Sequence, residues 1–218
     1  MIDIAKLRRD IEGVGEDARF LAFMELYSSK DMEAQSEIDR IIQLRDPLVK
    51  LMFLRFLGRV AEERAVRYIC WMMEDDNTVV VDAARRSFER NRFEKKLDAL
   101  QYLLSSSHRG ALLYAMDQLS QAGQIKILDR LLQMISDATA DDQLLDAILM
   151  AMRYMPGRRG VETLLAFAAD PRPHMRFRVV LACVSYCQAG IHRMHSCLVN
   201  FLKDPERPCD LQYSRCDQ

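Results

Sequence analysis

The sequence predicts an all-α chain of short helices that alternate in pairs and stack by repetition, and three observations predict it. The first is a phased recurrence: Arg19, Lys50, Val81, Leu112, Leu145 and Arg176 stand at successive separations of 31, 31, 31, 33 and 31 residues. A period of this size held over six copies marks a repeat architecture. The second is what each copy carries. Three residues past the marks stand Ala22, Phe53, Ala84, Ala115, Ile148 and Val179, and seven past stand Leu26, Leu57, Phe88, Leu119, Met152 and Cys183. Offsets of three and seven share one helix face, so each copy presents an apolar stripe that only a neighbouring copy can cover. The third is composition: 50% of the residues are hydrophobic, with 13 methionines but only 8 glycines and 6 prolines, which suits helices better than strands.

Taken in order, the chain opens with a helix over residues 1–12 that sets Ile4, Leu7 and Ile11 on one face before Gly13 and Gly15 interrupt it. A second helix runs from Glu16 to about Tyr27 and buries Phe20, Phe23 and Leu26. Helices follow near 33–44, 47–57, 62–74, 78–90, 93–104, 109–121, 124–136, 142–155, 160–169, 174–188 and 191–203. That makes six helix pairs and a terminal first helix, expected as one domain over 1–203 with a tail at 204–218.

The punctuation agrees with this alternation. Asp46-Pro47, Asp75-Asp76-Asn77, Asp141-Asp142 and Asp170-Pro171 precede second helices, where a carboxylate caps free amides and proline fits the first turn. Gly58, Asn91, Gly123, Gly157 and Gly190 follow second helices, where a left-handed residue is expected to end the helix.

On these residues the chain resembles HEAT repeats, and its short period is most similar to the phycobilisome-lyase HEAT-like subgroup. Asp170-Pro171 through Arg176 to Cys183 follows the family pattern of Asp-Pro, Val-Arg and spaced small or apolar residues, as does Asp46-Pro47-Leu48-Val49-Lys50 through Phe56-Leu57-Gly58. Asp75 to Phe88 departs from it with Val81 in the arginine place, and the copies marked by Leu112 and Leu145 are looser. The likeness covers about residues 16–203 and implies a right-handed α-α superhelix, a HEAT-like solenoid. The tetratricopeptide signature of Trp, Gly-Tyr and Pro is absent, and Trp71 has no counterpart in the other copies.

Charge is balanced, with 31 basic and 32 acidic residues, so a globally polyanion-seeking surface is not indicated. The start, Met1-Ile2-Asp3-Ile4-Ala5-Lys6, is unlike a signal peptide, and no apolar run reaches the roughly 20 residues of a bilayer span. A cytoplasmic protein with free thiols is therefore expected, its six cysteines included.

Catalytic motifs are missing: there is no phosphate-binding glycine loop, Gly-x-Ser-x-Gly elbow or His-Glu-x-x-His helix, and there are four histidines in all. No catalytic residue and no cofactor are expected. Metal-ligand residue types gather in Cys183, Cys187, His192, His195 and Cys197, where facing helices would bring soft ligands within reach. The plainer reading is that these cysteines are small core residues, since the place of Cys183 is apolar in every copy. Cys209 and Cys216 in the tail are a further thiol pair.

The second candidate is electrostatic. Arg55 and Arg86 lie five past their marks, Arg59 and Arg90 nine past, which sets a two-by-two basic array on adjacent second helices. Arg85, Arg92, Lys95 and Lys96 add to it. The resemblance implies that second helices line the concave surface. Three readings stand open: a solvated face balanced by Glu62, Glu63, Glu89 and Glu94, a groove for an acidic protein segment, or a nucleic-acid backbone site. Asp117, Met150 and Leu181 hold the equivalent places later in the chain, so the basic stripe stops after two copies. The expected function is a non-enzymatic scaffold or adaptor that binds a protein partner, with no membrane association. A bilin lyase-type modifying role, implied by the subgroup alone, and nucleic-acid binding are the alternatives.

Overall fold

The computed structural model describes residues 3–13, 15–137 and 141–203, and among these every regular element is helical. In order they are α1 (Ile4–Glu12), α2 (Glu16–Ser28), α3 (Met32–Gln43), α4 (Pro47–Leu57), α5 (Glu63–Met72), α6 (Thr78–Arg90), α7 (Lys96–Ala99), α8 (Arg109–Gln121), α9 (Leu128–Asp137), α10 (Asp142–Met152), α11 (Arg158–Phe167), α12 (Pro173–Gln188) and α13 (His195–Leu202). The chain forms two compact units, Met1–Leu112 and Leu113–Gln218.

Within the first unit the helices make two layers. Second helices pack in series, α2 on α4 and α4 on α6, and first helices do the same, α1 on α3, α3 on α5 and α5 on α7. The second unit repeats the scheme, with α10 against α12 in one layer and α9 against α11 in the other. The apolar stripes explain the arrangement. All twelve residues three and seven past the marks, from Ala22 and Leu26 to Val179 and Cys183, are at most 2% exposed. Between α2, α4 and α5 the stripe is aromatic: Phe23 meets Phe53 at 5.1 Å, Phe56 meets Phe20 edge-on at 5.4 Å, and Phe53 faces Tyr68 at 6.3 Å.

Polar ties run between copies as well. The Arg8 guanidinium donates to the buried Glu37 carboxylate at 2.7 Å, and Arg40 shares that acceptor. Burial alone would raise the Glu37 carboxyl, but the two guanidinium hydrogen bonds outweigh it and hold it below the usual range. Lys50, at a phase mark and only 8% exposed, pairs with Asp75 in the turn before α6.

Helix starts follow the expected residues at three places. Asp46 accepts from the Leu48 amide at 2.9 Å with Pro47 in the first turn, Asn77 accepts from Val79 at 2.9 Å, and Asp141 accepts from Leu144 at 3.1 Å. Asp170 departs from expectation: α12 begins at Pro173 after Arg172, and the Asp170 carboxylate is taken up by the Arg172 side chain and amide.

The helix ends correct the sequence reading more sharply. Among the glycines, all of them described, Gly123 and Gly190 adopt positive φ, at 65° and 83°. Each completes a Schellman motif, with Gln124 bonded back to the Leu119 carbonyl and Ile191 to that of Tyr186. Gly58, Gly157 and Asn91 have negative φ. At Gly58 the need is space: a Cβ there would stand 3.3 Å from the Ser87 backbone, so the missing side chain lets α4 approach α6. The helix expected over 93–104 is also shorter, with α7 passing into a 3-10 turn over Leu100–Ser105. Asn91 is the cause, because its extended backbone and its bond from the Phe93 amide delay the restart until Lys96.

Replacing Leu57 by Ala in this packed stripe is expected to cost about 2–5 kcal/mol, read as a lowered midpoint in urea with the helical circular-dichroism signal kept below the transition. An unchanged midpoint would contradict the burial described.

Candidate basic cleft

The α4 and α6 helices end side by side, and their ends set the site. Helix C-termini leave carbonyl oxygens without intrahelical donors. At α4 the Gly58, Arg59 and Val60 amides meet those of Leu54, Phe56 and Leu57, and Asn91, 2% exposed, adds its side-chain amide, which donates to the Leu57 carbonyl at 3.1 Å and to the Val60 carbonyl just beyond at 2.8 Å. At α6 they are met by Lys96, whose ammonium donates to the carbonyls of Phe88, Glu89 and Asn91, each at 2.9 Å. Burial pulls the Lys96 amine below its ordinary value, with nearby Glu89 opposing the shift.

Because Asn91 and Lys96 take these carbonyls, the arginines of the same ends stand clear of them. Arg55, Arg59, Arg90 and Arg92 line an open cleft of about 530 Å³ together with Gly58, Ala61 and Ser87, and no carboxylate is in its lining. Among the described residues Arg55 has only a loose 3.8 Å pair with Glu16, both side chains well exposed. The Arg59 guanidinium lies 5.7 Å above the Phe20 ring, which holds its orientation without consuming its charge. Among the described residues, Arg59, Arg86, Arg90 and Arg92 have no carboxylate in salt-bridge range. Two of the four acids expected to balance them are engaged elsewhere: Glu62 accepts from the Tyr27 hydroxyl at 3.0 Å, and Glu63 pairs with Arg67.

Three of the four sequence-predicted arginines, Arg55, Arg59 and Arg90, thus share one cleft. Arg86 is exposed on α6 but outside the lining, and Arg92 takes the fourth place. The other added cations separate. Arg85 donates to the Gly110 carbonyl at 3.0 Å, Lys96 is the internal cap, and Lys95 faces a different cleft of about 470 Å³ with Trp71, Phe93 and Tyr102. That second cleft lies on the first-helix layer, and the unmatched Trp71 was its only sequence signal.

The cysteine cluster assembles in part. Cys183 and Cys197 are both buried, and burial pushes the Cys183 thiol up to about 12, with Cys197 adding to the shift. Cys187 is half-buried with its thiol also raised by burial. His195 is exposed and stacks at 5.1 Å on His192. Among the described residues no three His, Cys, Asp or Glu side chains form a metal-sized group. Cys209 and Cys216 lie outside the described residues.

Among the described residues no helix is long and apolar enough to cross a membrane. The class that fold and site define is an all-helical protein with a solvent-open basic cleft. Compared with protein-family models and with curated proteins, the sequence gives no match.

Two outcomes check this geometry. Asn91→Ala removes the two buried side-chain hydrogen bonds to the Leu57 and Val60 carbonyls and is expected to cost about 1–3 kcal/mol of stability, measured by urea unfolding, where an exposed asparagine would show no loss. Protein purified without added metal is expected to carry no stoichiometric zinc and to melt at the same temperature with EDTA. One zinc per chain, lost with several degrees of stability, would place a structural metal at Cys183 and Cys197.

Proposed function

We propose that this chain is a non-enzymatic helical-repeat scaffold or adaptor of the HEAT-like type, working in the cytoplasm, whose helix pairs continue into a right-handed superhelix. The two-layer packing inside each unit and the recurrence near 31 residues support the architecture. The carrying observation for function is the basic cleft: arginines converge where local carboxylates and helix carbonyls leave them unsatisfied. Long side chains kept only for solubility gain nothing from such convergence, since like charges repel and exposed pairs contribute little. An acidic segment of a protein partner fits, because the planar guanidinium takes carboxylates two bonds at a time.

Charge reversal tests the reading. With Arg59 and Arg90 both changed to Glu, an unaltered melting curve is expected together with loss of specific partners in affinity capture from the native cell. Each lost contact to an anion is expected to weaken binding by about 1–3 kcal/mol, whereas an exposed ion pair would contribute under about 1 kcal/mol. Recovery of every partner at the original yield would show that the cleft is a solvated surface.

A further inference from the structure

Resting on that reading of the cleft, we infer that the group it holds is a phosphate monoester on the partner's segment, a phosphoserine or phosphothreonine, rather than a run of carboxylates. The chemistry of convergence carries this. One carboxylate has a single negative charge and two oxygens in a plane, which one guanidinium fork satisfies. A run of acidic residues would be matched by cations spaced along a track, yet Arg55, Arg59, Arg90 and Arg92 meet around one cleft and Arg86, the next along α6, stays outside it. A phosphate monoester carries close to two negative charges and three strong acceptor oxygens, enough for several guanidiniums at once.

The local electrostatics agree. Each helix end contributes roughly half a negative charge, so two ends offset only about one of the four guanidinium charges. The nearest carbonyls are further neutralised as acceptors by Asn91 and by the Lys96 ammonium. Lys96 therefore adds a fifth positive charge behind the α6 end. Besides the arginines the cleft is lined by Gly58, Ala61 and Ser87, so no bulky side chain keeps a tetrahedral group from the guanidiniums.

The test is fluorescence anisotropy at fixed ionic strength with a short Gly/Ser peptide in three forms, carrying a central phosphoserine, glutamate or unmodified serine. The phosphoserine form is expected to bind at least tenfold tighter than the glutamate form and to be displaced by inorganic phosphate. Arg59→Gln and Arg90→Gln are each expected to weaken it about tenfold, the loss of a charge-assisted contact. Arg67→Gln, on the other helix layer and paired with Glu63, is expected to leave it unchanged. Equal binding of the glutamate and phosphoserine forms would overturn the phosphate inference and leave the acidic-segment reading standing. If no form binds and charge reversal at Arg59 and Arg90 also spares every captured partner, both fall. Tighter binding of a single-stranded oligonucleotide than of the phosphopeptide, with affinity falling steeply in salt, would overturn the inference in favour of a phosphodiester backbone.

Discussion

A helix that ends inside a protein must find donors for its last carbonyl oxygens, and at the adjoining ends of α4 and α6 two side chains join the backbone amides in supplying them. Asn91 reaches from the end of α6 back to α4, and Lys96 reaches from α7 back to α6. Much else in the first unit follows from these contacts. The extended backbone at Asn91 shortens the next helix, and the bare backbone of Gly58 lets the two ends close on each other. The arginines, which would ordinarily complement helix C-termini, are left with their hydrogen-bonding capacity turned to solvent.

The second unit shows what arginines do when the structure employs them. Arg159 pairs with Asp129 at 2.7 Å, Arg172 with Asp142, Arg178 with Asp146 and Arg193 with Glu162, each reaching a carboxylate about one repeat back in the chain. These are struts between neighbouring helix pairs. In the first unit Arg8 with Glu37 and Lys50 with Asp75 play the same part. Among the described residues Arg59, Arg90 and Arg92 have no such carboxylate, although acids are plentiful nearby in sequence at Glu62, Glu63, Glu89 and Glu94. The contrast separates cations that tie repeats together from cations that converge on a cleft.

Most of the fold could be read before the structure because it rests on a local signal repeated many times. The positions three and seven past each mark are all buried, and α4, α6 and α8 begin and end where the periodicity put them. Helix ends were less legible, since a terminating glycine or asparagine can serve by left-handed backbone, by lack of bulk or by side-chain bonding. Gly123, Gly58 and Asn91 are one of each. At the site, register was enough to group Arg55, Arg59 and Arg90, which line one cleft. It could not show that Arg92 replaces Arg86 or that Lys96 turns inward, because both depend on where the chain goes after Asn91.

The central claim is this division of labour at the end of α6, with Lys96 sequestered and the arginines free, and side-chain NMR measures it most directly. Hydrogen exchange at the Lys96 ammonium and at the guanidinium groups of Arg59, Arg90 and Arg92 can be followed in one sample. The account predicts a protected Lys96 signal and arginine signals that exchange as in short peptides. Protected guanidiniums beside a freely exchanging Lys96 would mean that the arginines cap the helices, and the cleft would lose its standing as a site.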